Sequence, residues 1–358
     1  MRLEFMSINA YKEFIREKGI KYQFLQMPSY AKVNDRFILA GLNEQGNPTH
    51  AVIIELRPAM KLWKFAYTAG GYLSTDKEHD AEFINSVSDF LKLKGYILWR
   101  MESATETEEY DKDGNKVEGG YSNRAEIEEL VKKTGFIWHD LGKGINTNYQ
   151  NTWQSVVNLK KDDGSPRPIE EIDSEMAGSA RKYMRKAKRE GFVFTTKKPS
   201  EMTKKDWHTL EEMLSKSAEH GEFDKGSADS RKALAKASED CCLLGFVHNA
   251  EGEPVYAGYW YYTNYEMMCY FAGLDRSKLK YNLSSFVHHT MYERAIEMGL
   301  ERYNFGGISG YFNKGEEGYG CYLMKRELGC RVIRTFGVFD KPLTNMGNLF
   351  EKKVAKTF

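Results

Sequence analysis

The sequence lacks the features that would place it in a membrane or among secreted proteins. It has no apolar run near the roughly 20 residues that span a bilayer, and residues 1–19 predict an amphipathic helix with no secretory leader. Its five cysteines include no C-x-x-C pair and lie among apolar residues, which favours reduced, buried thiols and a cytoplasmic protein.

An excess of charge of one sign is also missing. The 52 basic and 51 acidic residues leave a net charge of +1, which argues against a protein that binds nucleic acid over its whole surface. Any nucleic-acid contact must therefore come from a local basic patch. At 358 residues the chain is long enough for two domains.

The signatures of metal and nucleophile chemistry are absent as well. Of the eight histidines, His288 and His289 are adjacent but point to different faces of a predicted helix, and the others stand alone, among them His139, His208, His220 and His248. No H-E-x-x-H or G-x-S-x-G pattern occurs, and no R/Q-x-x-G-x-G/A loop marks a coenzyme A pyrophosphate site. The sequence therefore predicts no metal and no cofactor, and it disfavours an ordinary acyl-coenzyme A acetyltransferase.

What the chain does contain is an alternation of helical and strand patterns. A helical stripe over residues 81–94 stops at Gly95 before a strand at 96–101, and the same order returns around Gly299. This repetition predicts an α/β fold with mixed sheets, built from two modules similar to the acyl-coenzyme A acetyltransferase (GNAT) fold. Module 1 is predicted over residues 1–160 and 318–358, with the C-terminal segment returning to it, and module 2 over residues 161–317.

Several shorter segments carry local predictions. Residues 21–26 are predicted as a strand, Arg57 and Pro58 as a turn, and the charged, glycine-rich residues 103–122 as a mobile surface loop. The aromatic stretch 256–265 predicts sheet strands whose rings are mostly core. Tyr270 beyond it is the ring that we expect to line a groove for a sugar or base.

A glycine-rich turn near the end of the chain is the most informative stretch. Residues 303–310 read Tyr-Asn-Phe-Gly-Gly-Ile-Ser-Gly, so a short strand runs into a turn where a ligand can approach the backbone closely. Gly307 and Ser309 are the candidate contacts there, although a serine in such a turn more often has a structural role. A short helix predicted over residues 318–329 places Lys325 within reach of a ligand held at the turn.

Residues 180–191 predict a strongly basic helix. Its cations include Arg181, Arg185 and Arg189. One interpretation is a solvated helix face, which is the usual meaning of a charge run. The other is a patch that follows the phosphates of an RNA acceptor stem, and the sequence leaves both open.

Taken together, these motifs resemble the FemABX family of non-ribosomal peptidyl transferases. The turn is similar to the family's G-x-S-G turn, and the helix after it to a Gly-Tyr-x-x-Tyr-x-x-Lys-x-x-x-Gly pattern. Residues 26–33 resemble the family's Gln-x-x-x-Trp-x-x-Val-Lys start, and residues 100–102 resemble its Arg-Ile-Asp strand end. Because residues 202–241 leave no room for a coiled-coil insertion, the chain is similar to the shorter, FemX-type members.

The resemblance implies an aminoacyltransferase of cell-wall biogenesis. Such an enzyme moves an amino acid from aminoacyl-tRNA to the stem peptide of a peptidoglycan precursor, either UDP-MurNAc-pentapeptide or lipid II, and so builds the interpeptide bridge. We expect a cytoplasmic monomer, which a lipid-linked acceptor would bring into transient contact with the inner membrane surface. The alternatives are a non-catalytic or altered relative that acts as an immunity factor, and a GNAT-type acyltransferase that uses another acyl donor.

Matching positions imply roles for particular residues. Lys325 matches the lysine that meets the tRNA acceptor end, and Arg231 matches an arginine that holds the precursor. Asn34 stands where the family often has a precursor-binding lysine, which leaves Arg36 or Lys32 as substitutes.

The implied reaction needs no protein nucleophile, because the aminoacyl ester is already activated and the attacking group is an amine. Lys325 and the backbone N–H groups of residues 318–320 are suited to stabilise the oxyanion, and Lys325→Met is expected to leave the fold nearly unaffected. Glu102 is a candidate to accept the amine proton, with the substrate's phosphate or the leaving oxygen as alternatives. The implied tRNA contacts, in a segment that resembles the family's basic helix, are Arg181, Arg185 and Arg189 together with Lys325.

Overall fold

The computed structural model describes residues 1–33, 35–59, 62–120, 123–145, 149–219, 226–278 and 283–354. Along the chain the strands are β1 (Arg2–Met6), β2 (Arg36–Leu42), β3 (Pro48–Ala59), β4 (Trp63–Thr68), β5 (Tyr72–Ser74), β6 (Leu98–Tyr110), β7 (Ile137–His139), β8 (Trp153–Asn158), β9 (Val193–Lys197), β10 (Cys242–His248), β11 (Pro254–Tyr262), β12 (Glu266–Leu274), β13 (Arg302–Gly307) and β14 (Arg331–Pro342). The helices are α1 (Ile8–Glu17), α2 (Asp80–Leu93), α3 (Arg124–Thr134), α4 (Ile169–Glu175), α5 (Gly178–Arg189), α6 (Lys204–Glu219), α7 (Ala228–Ala237), α8 (Ser284–Glu297), α9 (Tyr319–Glu327) and α10 (Asn345–Val354). Within these described ranges, none of the helices is both long and apolar enough to cross a membrane.

By its internal contacts the chain separates into two compact units. Unit 1 comprises Met1–Glu109, Lys116–Thr152 and Ile333–Phe358, and unit 2 comprises Tyr110–Asn115 and Trp153–Val332. Of the segment 318–358 that the sequence assigns to module 1, Ile333–Phe358 belongs with the N-terminal residues in unit 1, whereas residues 318–332 lie in unit 2. The module boundaries at residues 160 and 317 stay predictions.

Unit 1 is built on a mixed sheet. Its strands lie in the order β1-β2-β3-β4-β6-β14, with β5 beside β3 and β7 beside β14. β1 to β4 are antiparallel, whereas β6 returns parallel to β4 after α2. One stripe of α2, which includes Phe83, Val87 and Leu91, is buried in the core of this unit. Gly95, at φ 82°, then takes the left-handed conformation that lets the chain leave the helix.

Unit 2 repeats this arrangement. Its strands lie in the order β9-β10-β11-β12-β13-β8; β9 to β12 are antiparallel, and β13 returns parallel to β12 after α8. Val287, Met291 and Ala295 of α8 are buried in the core, and Gly299, at φ 74°, follows the helix as Gly95 follows α2. The predicted α/β fold with mixed sheets and a repeated helix–glycine–strand unit is confirmed.

Several local predictions are wrong. Residues 1–19 contain strand β1 before α1, and residues 21–26 contain only the short 3-10 turn Phe24–Gln26. Residues 103–110 continue strand β6 instead of starting a loop, whereas Tyr121 and Ser122, at the end of that predicted loop, lie outside the described residues. The charges of β6 are matched by the adjacent strand, where Arg334 pairs with Glu108 at 3.1 Å. Pairing with the adjacent strand thus keeps this polar part of β6 in a strand conformation.

Candidate functional site

The glycine turn of unit 2 is closed from behind by a buried lysine. Lys325 lies on α9, is 5% exposed, and donates to Gly306 O at 3.2 Å and to Gly307 O at 2.7 Å. An ammonium has three donors, and these bonds use two of them. Within the described part of the chain, the third N–H remains for a ligand at the turn.

Glycine and a buried hydroxyl keep the turn in shape. Gly306 and Gly310 have φ of 74° and 75°, and a Cβ at Gly310 would meet the Trp153 ring at 2.6 Å. Ser309 is fully buried and donates its hydroxyl to Glu317 O at 2.6 Å. In this conformation Ser309 ties the turn to the segment before α9.

Neutral side chains lie around the Lys325 ammonium. Burial, and then the charge of Lys325, lowers the pKa of His288 to about 3, so its imidazole is uncharged at neutral pH. The His288 Nδ1 lies 2.8 Å from the Tyr303 hydroxyl, which accepts from Trp260 Nε1 at 2.7 Å. Burial raises the pKa of Cys269 to about 12, although Lys325 acts in the opposite direction. With these neighbours neutral, the positive charge at the turn is that of Lys325.

Two further predicted contacts lie elsewhere in unit 2. Tyr270 of β12 is half-buried, and its ring packs edge-on against Tyr261 and Phe271. Arg231 of α7 is 4% exposed and pairs with Glu211. The Arg231 guanidinium is thus already engaged within the protein.

The basic face of α5 extends over two turns of the helix. Arg181, Arg185 and Arg189 recur every four residues and lie along one side, while the opposite stripe is buried. One cation of this helix, Lys186, pairs with the acidic Glu190 four residues further on, at 3.6 Å. Arg185 and Arg189 are exposed, so the arginine stripe is accessible to a polyanion.

In unit 1 a carboxylate is buried on β6. Glu102 is 4% exposed; its Oε2 accepts from Gln150 N at 2.8 Å, and the Tyr67 hydroxyl lies beside this side chain. The Oε1 atom is buried and has no hydrogen-bond partner among the described residues. Burial raises the pKa of Glu102, and the Gln150 N–H, the Tyr67 hydroxyl and the charge of Arg57 offset this in part. A carboxyl group with a raised pKa and an unbonded oxygen is suited to exchange a proton with a ligand.

A network of cations lies beside that carboxylate. Arg57 stacks 3.4 Å above the Tyr67 ring and donates to Glu55 at 2.8 Å. Arg36 donates twice to Glu55, at 2.9 and 2.6 Å, and lies 3.5 Å above the Tyr30 ring. Burial alone would raise the pKa of Glu55, but the two arginines hold it below its ordinary value. Because the side chain of Arg36 is 4% exposed and that of Arg57 is 34% exposed, Arg57 presents the charge to solvent.

Sequence reasoning misses Arg57 and Tyr67. The sequence places Arg57 in a turn with Pro58, whereas the structure places it in β3, opposite Phe65 of β4. The usable signal was strand alternation, which puts Glu55 and Arg57 on one face. Of the other candidates, Lys32 is exposed on the 3-10 turn Tyr30–Lys32, and Asn34 lies outside the described residues.

One group of described residues has the spacing of metal ligands. His139, Asp340 and Glu351 of unit 1 bring ligand atoms within 4.8 Å of one another. However, Arg100 donates to both oxygens of Asp340, at 2.7 and 2.6 Å, and a bound cation would lie beside that guanidinium. The His139 Nε2 atom lies 3.2 Å from Asp340 and 3.5 Å from Glu351. These side chains therefore contact one another, and we interpret the group as one that stabilises the fold of unit 1.

Comparison with known proteins gives a family match over most of the chain. The model of the FemAB family matches residues 6–229 and 193–352. Aminoacyltransferase FemB of Staphylococcus epidermidis is 30% identical over 118 residues, which cover 32% of this chain. The chain spans 27% of the length of that relative.

Solved structures share the fold along nearly the whole chain. The crystal structure of FemX matches with a TM-score of 0.80 at 13% identity, over 99% of this chain and 100% of FemX. A tandem GNAT protein from the clavulanic acid biosynthesis pathway matches with a TM-score of 0.53 at 9% identity, over 96% of this chain and 99% of that protein. At these identities the likeness concerns the fold alone, and it confirms the predicted GNAT-like modules.

Proposed function

This chain belongs to the FemAB family, and from that membership we propose that it is an aminoacyltransferase. Its substrates are an aminoacyl-tRNA and a peptidoglycan precursor, UDP-MurNAc-pentapeptide or lipid II, whose stem peptide supplies the acceptor amine. The observation that carries the proposal is the buried Lys325 behind the turn at Gly306 and Gly307, since it fixes a positive charge where a ligand can meet the backbone.

Lys325 acts on the acyl donor. When the amine attacks the aminoacyl ester, a C–N bond forms and the ester carbonyl becomes an oxyanion, which a fixed ammonium stabilises. The bond from the acyl carbon to the ribose oxygen then breaks, and that oxygen leaves with a proton from solvent. Because two backbone carbonyls already hold Lys325, little reorganisation is needed at the moment of reaction. The arginine stripe of α5 follows the phosphates of the tRNA.

Glu102 acts on the acceptor. The attacking amine loses a proton as the C–N bond forms, and the unbonded Oε1 of Glu102 accepts it. Arg57 binds a phosphate of the precursor, for which a partly exposed guanidinium is well suited. Arg36 supports Arg57 by holding the shared Glu55 carboxylate in place. Lys32 and Arg231 remain candidate precursor contacts.

The direct test is incubation of the chain with a mixed pool of charged tRNAs and UDP-MurNAc-pentapeptide, followed by mass spectrometry of the precursor. We expect the precursor to gain the mass of one aminoacyl residue, and the gain to vanish when the tRNA is deacylated beforehand. A parallel sample with acetyl-coenzyme A tests the alternative acyl donor. Absence of product with both the soluble and the lipid-linked precursor would contradict the proposal.

A further inference from the structure

Exposed apolar side chains are concentrated at one end of unit 1. Nine large apolar side chains of the described residues are exposed, and five of them lie on β1, the β3–β4 hairpin, α2 and α10: Phe5, Leu62, Trp63, Leu93 and Leu349. Leu62 and Leu93 are 89% and 88% exposed. Single exposed leucines are common on proteins, so their meaning depends on whether the five side chains share one place.

The strand register brings four of them together. β1 ends where β2 begins, and β3 ends where β4 begins. Just before β6, Ile97 N donates to Lys64 O at 3.2 Å, so α2, which precedes β6, also ends here. The Phe5 ring lies 5.7 Å from the Phe90 ring of α2, one helical turn before Leu93.

Helix α10 extends the same end of the sheet. The Phe350 ring lies 5.5 Å from the Phe65 ring of β4. Trp63 points to the same side of β4 as Phe65, because alternate residues of a strand share a face. Leu349, which is 63% exposed next to Phe350, therefore continues the apolar edge beyond the hairpin.

Lysines accompany these apolar side chains. Five are exposed on the same element ends: Lys64, Lys92, Lys94, Lys352 and Lys353. The exposed carboxylates there are Glu4, Asp35 and Asp89, and Glu4 pairs with Arg2 at 3.1 Å. This end of unit 1 therefore combines an apolar edge with an excess of positive charge.

We propose that this end of unit 1, called the docking edge below, binds the surface of an anionic lipid bilayer. An indole favours the boundary between headgroups and acyl chains, and lysine keeps its ammonium among lipid phosphates while its stem lies on apolar surface. Leu62, Leu93 and Leu349 enter the acyl boundary, as in other interfacial proteins. Protein interfaces, by contrast, are depleted of lysine, so charge complementarity favours lipid over a protein partner.

The inference about the docking edge rests on the proposed function, and it specifies which form of the precursor serves as the acceptor. Trp63 and Tyr67 lie four residues apart in β4, which is about 13 Å along a strand, and Tyr67 lies beside Glu102. A bilayer bound at Trp63 thus lies close to the carboxylate that we assign to the acceptor amine. The docking edge therefore points to a precursor carried on a lipid.

Vesicle sedimentation of the full chain tests the docking edge. We expect binding to vesicles of phosphatidylcholine with phosphatidylglycerol, weak binding to phosphatidylcholine alone, and loss of binding in high salt. The double variant Leu62→Ser with Leu93→Ser should lower the partition coefficient by roughly tenfold or more, because apolar contacts contribute to interfacial binding. Both side chains are exposed, so folding should be unaffected. The matched control is Val193→Ser with Met298→Ser, two exposed positions of unit 2.

Tryptophan fluorescence and transfer assays provide two further tests of the docking edge. Binding should shift the tryptophan emission to shorter wavelength, and Trp63→Phe should remove that shift. Equal vesicle binding by the parent and the Leu62, Leu93 double variant would overturn the proposal, as would a dimer in solution that this variant abolishes. The variant should transfer to soluble UDP-MurNAc-pentapeptide at the parental rate but lose about tenfold with the lipid-linked precursor in vesicles. Parental rates with both precursors would refute the docking edge and leave the proposed transferase standing.

Discussion

Each unit contains a buried titratable side chain to which we assign a part in the reaction, Lys325 in unit 2 and Glu102 in unit 1, and their hydrogen-bonding groups are satisfied in different ways. Lys325 of unit 2 gives two hydrogens to the carbonyls of a turn shaped by glycine. Glu102 of unit 1 has one oxygen bonded and one without a partner among the described residues, and burial raises its pKa. An ammonium that two hydrogen bonds hold in place is suited to stabilise an oxyanion, whereas a carboxyl group with one unbonded oxygen is suited to exchange a proton. The contrast divides the proposed reaction into a donor role for unit 2 and an acceptor role for unit 1.

The accessible cations follow the same division. Unit 2 exposes a stripe of arginines on α5, suited to a long polyanion such as tRNA. Unit 1 exposes Arg57 alone of the two arginines on Glu55, which suits a single phosphate group. Arg231 is the exception, since the family resemblance gives it a precursor role although it lies in unit 2.

The largest effect is expected from Lys325→Met. Loss of one transition-state donor should lower single-turnover transfer by roughly two to three orders of magnitude. Removal of a buried donor from two carbonyls should also lower the free energy of unfolding by about 1–3 kcal/mol, which corrects the expectation of an unaffected fold. Transfer is measured with saturating precursor, well below the melting temperature of the variant.

The control for that change is Lys314→Met, an exposed lysine of the same unit. It should keep both the parental rate and the parental melting temperature. Near-parental turnover by Lys325→Met would show that Lys325 does not act on the acyl donor. The proposed difference in role between the two units would then be refuted as well.

Glu102→Gln should lower transfer about a hundredfold, as expected for loss of a general base. In the parent, the rate should fall as the pH drops through the raised pKa of Glu102, and the variant should lack that dependence. The sign for stability is opposite: the raised pKa stabilises the fold while Glu102 is protonated, and this contribution is lost as the pH rises from the ordinary 4.5 through the raised value.

Glu102→Gln should therefore melt no lower than the parent at neutral pH, since glutamine needs no proton to stay uncharged. Glu106→Gln, on the same strand, serves as the control. If the pH–rate profile is unchanged by Glu102→Gln, the proton acceptor is the substrate's phosphate or the leaving oxygen and not Glu102.

Arg57→Ala should weaken binding of UDP-MurNAc-pentapeptide by roughly tenfold, through loss of a charge-assisted phosphate contact. Arg36→Ala should lower the melting temperature more than Arg57→Ala does, because it leaves a buried carboxylate with fewer donors. Titration calorimetry and thermal melting separate the two effects. If Arg231→Ala stays folded and also weakens binding, the acceptor role extends into unit 2.

The smallest effect is expected from Arg181→Ala with Arg185→Ala. Charged-tRNA binding should weaken at low salt, and the slope of log affinity against log salt should fall by about one to two, one for each lost phosphate contact. Lys204→Ala with Lys205→Ala, two exposed lysines at the start of α6, should leave the slope unchanged. Equal slopes for the two double variants would assign the basic face of α5 to solvent.

The successful sequence predictions concern features that neighbouring residues decide. α2 and α8 each carry an apolar stripe and are followed by a glycine with positive φ, so a short stretch of sequence contains the whole signal. The position of Arg57 could have been found in the same way, by following the alternation of β3 past Pro58, but the outer half of β6 could not. The outer half of β6 depends on the adjacent strand β14, which comes from a distant part of the sequence.

By itself the sequence determined the family, the repeated α/β unit and the glycine turn with Lys325 behind it, because periodicity, glycine placement and motif order are local properties. Only the tertiary structure decided that Lys325 is buried against its own turn, that Glu102 keeps an unbonded oxygen, and that Arg57 is more exposed than Arg36. Burial and hydrogen-bond partners arise between residues that are far apart in the chain. Tyr67 and Gln150 both lie beside Glu102 in this way, and no local sequence pattern predicts that they do.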